Sequence, residues 1–263
     1  MAFPMTGIMT GISPGAQDTP MEEKNTKPRR SDRGPRITKR DFDTLAWIAQ
    51  QYAICLDHLS VLLARLMDYS DYARKPDDPG ELGQKRTTKI VRRWQELGLI
   101  ERGWILHDDP MWVWLTPEGL RLVRDNVGEL LRPYTPTPAK MNHLYWCNHA
   151  RLHIEQSHHD AEWASERMLR ANHKSETGVK QAHIPDAIIT IGGRKLAIEV
   201  ELTTKTYARL DKILQELAES EYHSIWYFTL DRAKQVVETA INALPERYQG
   251  RFVVYDLDET ELE

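Results

Sequence analysis

The sequence predicts an α+β protein in two halves, a winged helix-turn-helix followed by an α/β sandwich. Three observations carry that reading. Helical periodicity recurs three times before residue 98, and two short β-rich runs around a turn follow it. A Pro-rich break, "RPYTPTPAK" at residues 132 to 140, has the composition of a linker between domains. Beyond it, Gly192-Gly193 separates two strand-like runs, "IPDAIITI" and "RKLAIEVEL". The chain accordingly divides into residues 1 to 37, 38 to 131, 132 to 140, 141 to 256 and 257 to 263.

Composition sets the setting of the two halves. With 41% hydrophobic and 28% charged residues in a chain of 263, there is enough apolar material for about two cores. Cys55 and Cys147 lie far apart in helical segments, which excludes a disulfide framework or a CxxC zinc site and fits a reducing cytoplasm. No run approaches the roughly 18 apolar residues that span a bilayer, and the N-terminus lacks a leader pattern, so no membrane partner is expected. The net charge is -4, but the charges are segregated. Residues 24 to 40, "KNTKPRRSDRGPRITKR", set eight cationic side chains against Asp32 alone. The preceding Gly-, Pro- and Thr-containing stretch has no periodicity and reads as part of a disordered basic arm, within which Met21 is a candidate start. The closing "DLDETELE" reads as a frayed acidic tail.

The first half opens at Thr38, whose hydroxyl caps a helix while Asp41 reaches back to the cap amide. Phe42, Leu45, Ala46, Ile48 and Ala49 recur at helical spacing, and "LDHLSVLLARL" at 56 to 66 supplies a second amphipathic helix. In the third, residues 85 to 97, about 100° per residue puts Ile90, Val91, Trp94 and Leu97 on one side. Lys85, Thr88, Lys89 and Arg92 fall on the other. Gly98 suits a left-handed stop. "LIERGWIL" and "MWVWLT" read as two strands around "HDDP", and Thr116-Pro117 opens a closing helix, "PEGLRLVRDN". This order defines a winged helix-turn-helix, with residues 85 to 97 as the element that enters a DNA major groove. Its candidate contacts to double-stranded DNA are Lys85, Thr88, Lys89, Arg92 and Arg93. The alternative is a solvated basic helix in a protein-binding module, which Asp108 and Asp109 at the wing tip favour because phosphate repels them.

The second half begins with the helix "MNHLYWCNHARLHIEQ". His149 and His153 share a face, and Cys147, His158 and His159 lie close by in sequence. A zinc site is conceivable from these types, but HExxH is absent, and solvated or structural histidines are the favoured account of them. "AEWASERMLR" then reads as a strand.

The Gly-Gly turn fixes the register of the next two strands. A two-residue hairpin pairs Ile191 with Arg194, and counting inwards puts Asp186 directly opposite Glu199. Period-2 alternation adds Glu201 to their side and sends Leu196, Ile198, Val200 and Leu202 to the other. Opposed carboxylates repel unless a cation neutralises them, and hard oxygen ligands suit Mg²⁺ or Mn²⁺. Such an ion activates water in phosphodiester hydrolysis. The alternative is a hairpin whose acidic face is simply solvated. The helix "TKTYARLDKILQEL" comes next, with Lys205, Arg209 and Lys212 spaced as a phosphate-binding stripe or a solvated one. "SIWYFTL", "DRAKQVVETAINAL" and "RFVVYDL" complete a strand-helix-strand order.

"PDA" at Asp186, the hairpin to "EVE" and the helix after it resemble the PD-(D/E)XK core of the restriction endonuclease-like superfamily. With the N-terminal winged helix, "HIPDAIITI…KLAIEVELTTKT" resembles the replication-relaxation family, over roughly residues 38 to 255. That resemblance implies a DNA-binding protein of a plasmid, phage or integrative element. It implies metal ligation by Asp186 and Glu199, with Glu155 matching an acid on the preceding helix. Where the superfamily pattern has a lysine, this chain has Glu201, so Lys195, Lys205 or Lys212 would have to supply the ammonium. The catalytic set expected is Asp186, Glu199, Glu201 and Lys205. The expected function is DNA binding in replication or DNA relaxation of a mobile element, with metal-dependent cutting or nicking as the activity an intact nuclease core would add. The alternative is a non-catalytic accessory factor, or a transcriptional regulator, that works beside a replication initiator or relaxase.

Overall fold

Thr38 starts the first helix as its neighbours dictate. Its Oγ1 accepts the Asp41 amide at 3.2 Å while its own amide donates to Asp41 Oδ2 at 2.8 Å, and α1 runs over Lys39–Gln51. The computed structural model describes residues 36–67, 81–107, 110–128, 131–173 and 183–262. Most of the expected basic arm, residues 68–80, and Asp108 and Asp109, which the sequence assigns to a wing tip, therefore lie outside the described residues. The described residues from Ile37 onward form one α+β body with two open sheets.

After α1 come β1 (Ala53–Cys55), α2 (Leu56–Arg65) and α3 (Gln84–Glu96), then β2 (Ile100–Gly103) and β3 (Trp112–Leu115). The closing helix is broken at Val123 into α4 (Pro117–Leu122) and α5 (Arg124–Val127). The first sheet has the order β1-β3-β2, so the expected hairpin gains a third strand. Three residues between two helices are too few for periodicity to reveal. Leu45, Ile48, Leu59, Leu63, Val91, Trp94 and Val113 meet in a shared core. Asp41 is fully buried there and holds Arg93 Nη2 at 2.5 Å, which ties α3 to the cap of α1.

The second sheet runs β4 (Glu162–Ser165), β5 (Ala187–Ile191), β6 (Arg194–Glu201), β7 (Ser224–Thr229) and β8 (Phe252–Asp256). β4, β5 and β6 are antiparallel in turn, whereas β7 and β8 run parallel to β6. The parallel strands are reached through α8 (Tyr207–Ala218), α9 (Asp231–Asn242) and the short α10 (Glu246–Gln249). Gly192 and Gly193 have φ of 55° and 76°, the left-handed values a two-residue turn requires, and Ile191 pairs with Arg194. Ala187 pairs with Ile198, so the register is the one the turn predicts.

Three expectations change. The strand expected over "AEWASERMLR" stops at Ser165, whose Oγ accepts the Met168 amide at 3.4 Å and starts α7 (Glu166–His173). The acidic face of β6 is not solvated, because β6 is central and every residue from Leu196 to Glu201 is buried. Ala197 packs with α8 and α9, while Leu196, Ile198 and Val200 pack with α6 (Pro138–Ser157). The tail is not frayed either: Leu257 is buried at the start of a 3-10 turn, and Thr260 meets His149 at 2.8 and 2.9 Å.

Helix α6 binds the two sheets into one body. Pro138 occupies its first turn, so the last residues of the expected linker are helical. Met141 and Leu144 pack on β1 and β3, Leu152 enters the first core, and Ala150 and Ile154 cover the second sheet. Asn148 Nδ2 donates to the Ala53 carbonyl at 2.9 Å, and Arg65 donates to the Leu152 carbonyl at 2.6 Å.

His58 on α2 is enclosed by the same packing. It lies 4.3 Å from the Tyr145 ring and 5.6 Å from His149, close to Cys55 and only 2% exposed. Burial, reinforced by His149, lowers its pKa from 6.5 to about 3. Between those values the unfolded chain takes up a proton that the folded chain refuses. The His58 contribution is therefore intact above pH 6.5 and is lost as pH falls, at up to about 1.4 kcal/mol per pH unit. Chemical denaturation of wild type and His58→Phe at pH 7 and pH 5 should show a smaller loss on acidification in the variant.

Candidate functional site

The start of β5 and the C-terminal end of β6 meet at a cleft of about 360 Å³. Asp186 and Glu199 form its floor, and Glu166, Arg170, His183, Lys205 and Arg209 line the walls. Asp186 lies one residue before β5, where the ladder has ended. Its Oδ2 accepts the Val200 amide at 2.8 Å, and its Oδ1 lies 3.0 Å from His143 Nε2. Glu199 is 3% exposed, and its Oε1 lies 2.6 Å from His183 Nε2. The Glu216 carboxylate accepts the His183 amide at 2.9 Å, which fixes the loop that carries this histidine.

Electrostatics separate the two acids. Burial acts to raise Asp186, but the His143 imidazole, the Val200 amide and Lys205 outweigh it and hold the carboxyl below its ordinary range. Burial, reinforced by the Asp186 charge, raises Glu199 to about 7 even though His183 opposes it. Burial acts to lower His143, but Cys147 and Asp186 together outweigh it and raise the imidazole to about 11. Cys147 rises to about 11 through burial and the Asp186 charge. Two neighbouring carboxyls with opposite shifts mark the floor as a place where charge is costly and matched.

Glu201 does not join them as a third ligand. Among the described residues, the group of three or more His, Cys, Asp or Glu side chains with ligand atoms within 4.8 Å of one another is His143, Cys147 and Asp186. Glu201 turns instead to Lys205, with Oε2 and Nζ 2.5 Å apart. Lys205 is not on the helix that its spacing predicts: Thr206 remains extended and α8 begins after it. The stripe therefore divides. Arg209 lines the cleft, while Lys212 pairs loosely with Glu216 at 3.7 Å. Lys195 is exposed beside the turn, and its carbonyl accepts the His223 amide at 2.7 Å.

Other candidates have structural partners. Glu155 accepts Trp47 Nε1 at 2.9 Å and Arg151 Nε at 2.6 Å, which pins α6 to α1 and keeps it out of the cleft. His149 and His153 meet Thr260 and the Glu261 carbonyl, and His158 packs on Trp226. His143, His183, Glu166 and Arg170 are site residues that sequence reasoning does not single out. A signal exists for His143, which stands four residues before Cys147 on one helix face. Nothing local marks His183, whose role depends on the hairpin register.

On α3, Lys85, Thr88, Lys89 and Arg92 are exposed, and Thr87, Val91 and Trp94 are buried as the wheel requires. Arg92 pairs with Glu96 at 3.0 Å, while Arg93 is committed to Asp41. A groove of about 600 Å³ beside this helix is lined by Arg40, Arg86, Lys89, Arg92 and Arg93. Arg86 escapes a sequence reading because it stands four residues before Ile90, on the apolar side of the wheel. Among the described residues, no helix is long and apolar enough to cross a membrane. No protein-family model, curated protein or solved structure matches the chain.

Lys205 neutralises a carboxylate that is only 5% exposed, so its removal leaves a buried charge unpaired. Lys205→Ala should lower stability by roughly 3 kcal/mol. Urea denaturation measures it, and adding Glu201→Gln to the same chain should restore most of the loss.

Proposed function

We propose that the chain is a DNA-binding protein whose second half carries out metal-dependent phosphodiester chemistry, cutting or nicking the DNA that its first half holds. In this reading the first half is a winged helix-turn-helix and the second a PD-(D/E)XK nuclease-like domain. Its setting is the replication or relaxation of mobile-element DNA. The observation that carries the reading is the meeting of Asp186, Glu199 and Lys205 in one cleft with Arg170 and Arg209 on its walls.

The donor set fits a hard divalent cation: two carboxylates lining one cleft, with the charge of Asp186 raising the cost of ionising Glu199. Asp186 and Glu199 would hold Mg²⁺ or Mn²⁺, which supplies water activation and stabilisation of the leaving oxygen. The Val200 amide and His143 orient Asp186, and His183 orients Glu199. Lys205 lines the cleft from beyond the strand, paired with Glu201, the position where the superfamily pattern has a lysine. Arg170 and Arg209 offer guanidinium donors to a phosphate entering the cleft.

A second reading is favoured by a specific contact. Histidines already partner Asp186 and Glu199, so neither carboxylate needs a cation as its partner, and the domain can serve as a DNA- or partner-binding module beside an initiator or relaxase. Supercoiled plasmid incubated with Mg²⁺ or Mn²⁺ separates the two. Wild type should nick it and Asp186→Asn with Glu199→Gln should not; absence of metal-dependent cleavage of any DNA form assigns the accessory role.

The DNA-binding surface has its own test. Lys89→Ala with Arg92→Ala should weaken duplex binding about tenfold or more and reduce the salt slope by up to about 2, one for each phosphate neutralised. Fluorescence anisotropy titrations across a salt series measure both, and unchanged curves would remove α3 as the recognition helix.

A further inference from the structure

We propose that His143, Cys147 and Asp186 form a second metal site, suited to Zn²⁺ or another borderline-soft divalent ion, at the junction of α6 and β5. His143 and Cys147 stand four residues apart on one face of α6, and Asp186 approaches from the residue just before β5. His143 Nε2 lies 3.0 Å from Asp186 Oδ1 and 3.4 Å from Cys147 Sγ, and all three ligand atoms are within 4.8 Å of one another. Tetrahedral zinc with ordinary bond lengths sets nitrogen and oxygen ligands roughly 3.3 Å apart, and nitrogen and sulfur roughly 3.5 Å apart. The observed spacings are close to those edges.

A nitrogen, a thiol sulfur and a carboxylate oxygen are the donor types that select zinc over magnesium. Asp186 is anchored for the task, since Val200 occupies its Oδ2 and leaves Oδ1 for the ion. Binding releases the Cys147 thiol proton and any proton on His143 Nε2, and an imidazole, a thiolate and a carboxylate then face a dipositive ion. Three protein ligands leave a fourth position open, the pattern of reactive rather than structural zinc. His143 and Asp186 line the acidic cleft, and together with Cys147 they also line an adjoining cavity of about 290 Å³ that contains Tyr52 and Tyr134. The open position therefore borders space on both sides, and water or an oxyanion such as phosphate is the ligand chemistry it would accept.

Asp186 is shared with the cation site proposed above, so the two ions would compete for its Oδ1, but Cys147 belongs to this site alone and a sulfur signal distinguishes it. Titration of the reduced, full chain with Co²⁺ tests it. Wild type should bind one ion with a sulfur-to-cobalt charge-transfer band and the intense visible bands of tetrahedral cobalt, and Zn²⁺ should displace it. Cys147→Ser should abolish the charge-transfer band, and His143→Ala should weaken binding by more than about tenfold. His149→Ala, on the same helix but outside the cluster, should bind as wild type does, with circular dichroism confirming the fold of each variant. A weak octahedral spectrum in wild type, or a charge-transfer band that survives Cys147→Ser, overturns the proposal.

Discussion

The carboxylate of Asp186 is the contact on which the architecture of the second half turns. It takes over where the β5–β6 ladder stops, accepting the Val200 amide that would otherwise be left without a strand partner. Its backbone carbonyl accepts the Glu166 amide at 2.7 Å, so α7 begins against it. Its second oxygen reaches His143 on α6. One side chain thus joins the hairpin, the helix under the sheet and, through its carbonyl, the helix beside it. A neutral amide in its place keeps an acceptor for Val200 but loses the charge that holds His143.

Helix α6 extends this constraint to the first half. A helix with one apolar stripe has a free face, but α6 has contacts almost all round: β1 and β3, α2, the second sheet and the C-terminal segment. Two of its polar residues, Asn148 and Arg151, are therefore buried as linkers. Asn148 satisfies a carbonyl of β1, and Arg151 stacks 4.4 Å from the Trp47 ring while pairing with Glu155. Arg167 on α7 adds bonds of 2.5 Å to the Ala49 and Arg132 carbonyls. Such bonds cross between halves that composition divides at a Pro-rich segment. The orientation of α3 relative to the acidic cleft is consequently set by packed helices.

Features that depend on local chemistry were legible in the sequence. The capping box at Thr38, the wheel of α3 and the Gly-Gly register each rest on a few neighbouring residues, and each is present in the fold. Features set by distant partners were not. Ser165 ends a strand because it caps a helix, a choice that "AEWASERMLR" leaves open to its surroundings. The burial of Glu199 and Glu201 requires β7 on the far side of β6, and parallel neighbours of this kind leave no trace in a two-strand pattern. Lys205 was identifiable as a candidate, but its place in the loop comes from its pairing with Glu201. The partners of the acids, His143 and His183, lie 43 and 16 residues from the carboxylates they meet.

Burial changes what the three acids mean. On a solvated hairpin face they would cost almost nothing and call for no account. Inside the sheet each is matched by a base: Asp186 by His143, Glu199 by His183 and Glu201 by Lys205. Replacing a buried ionic pair with apolar residues of like volume is often neutral or stabilising, so stability alone gives no reason for three such pairs close together. A fold used only as a docking surface would be served as well by leucines at these positions. Carboxylates whose partners are histidines, open to a cleft with arginines on its walls, have a use that leucines lack: a cation can replace the bases without disturbing the strands. That difference is the physical support for the proposed metal chemistry at this sheet, and it rests on the burial of Glu199 rather than on its spacing from Asp186.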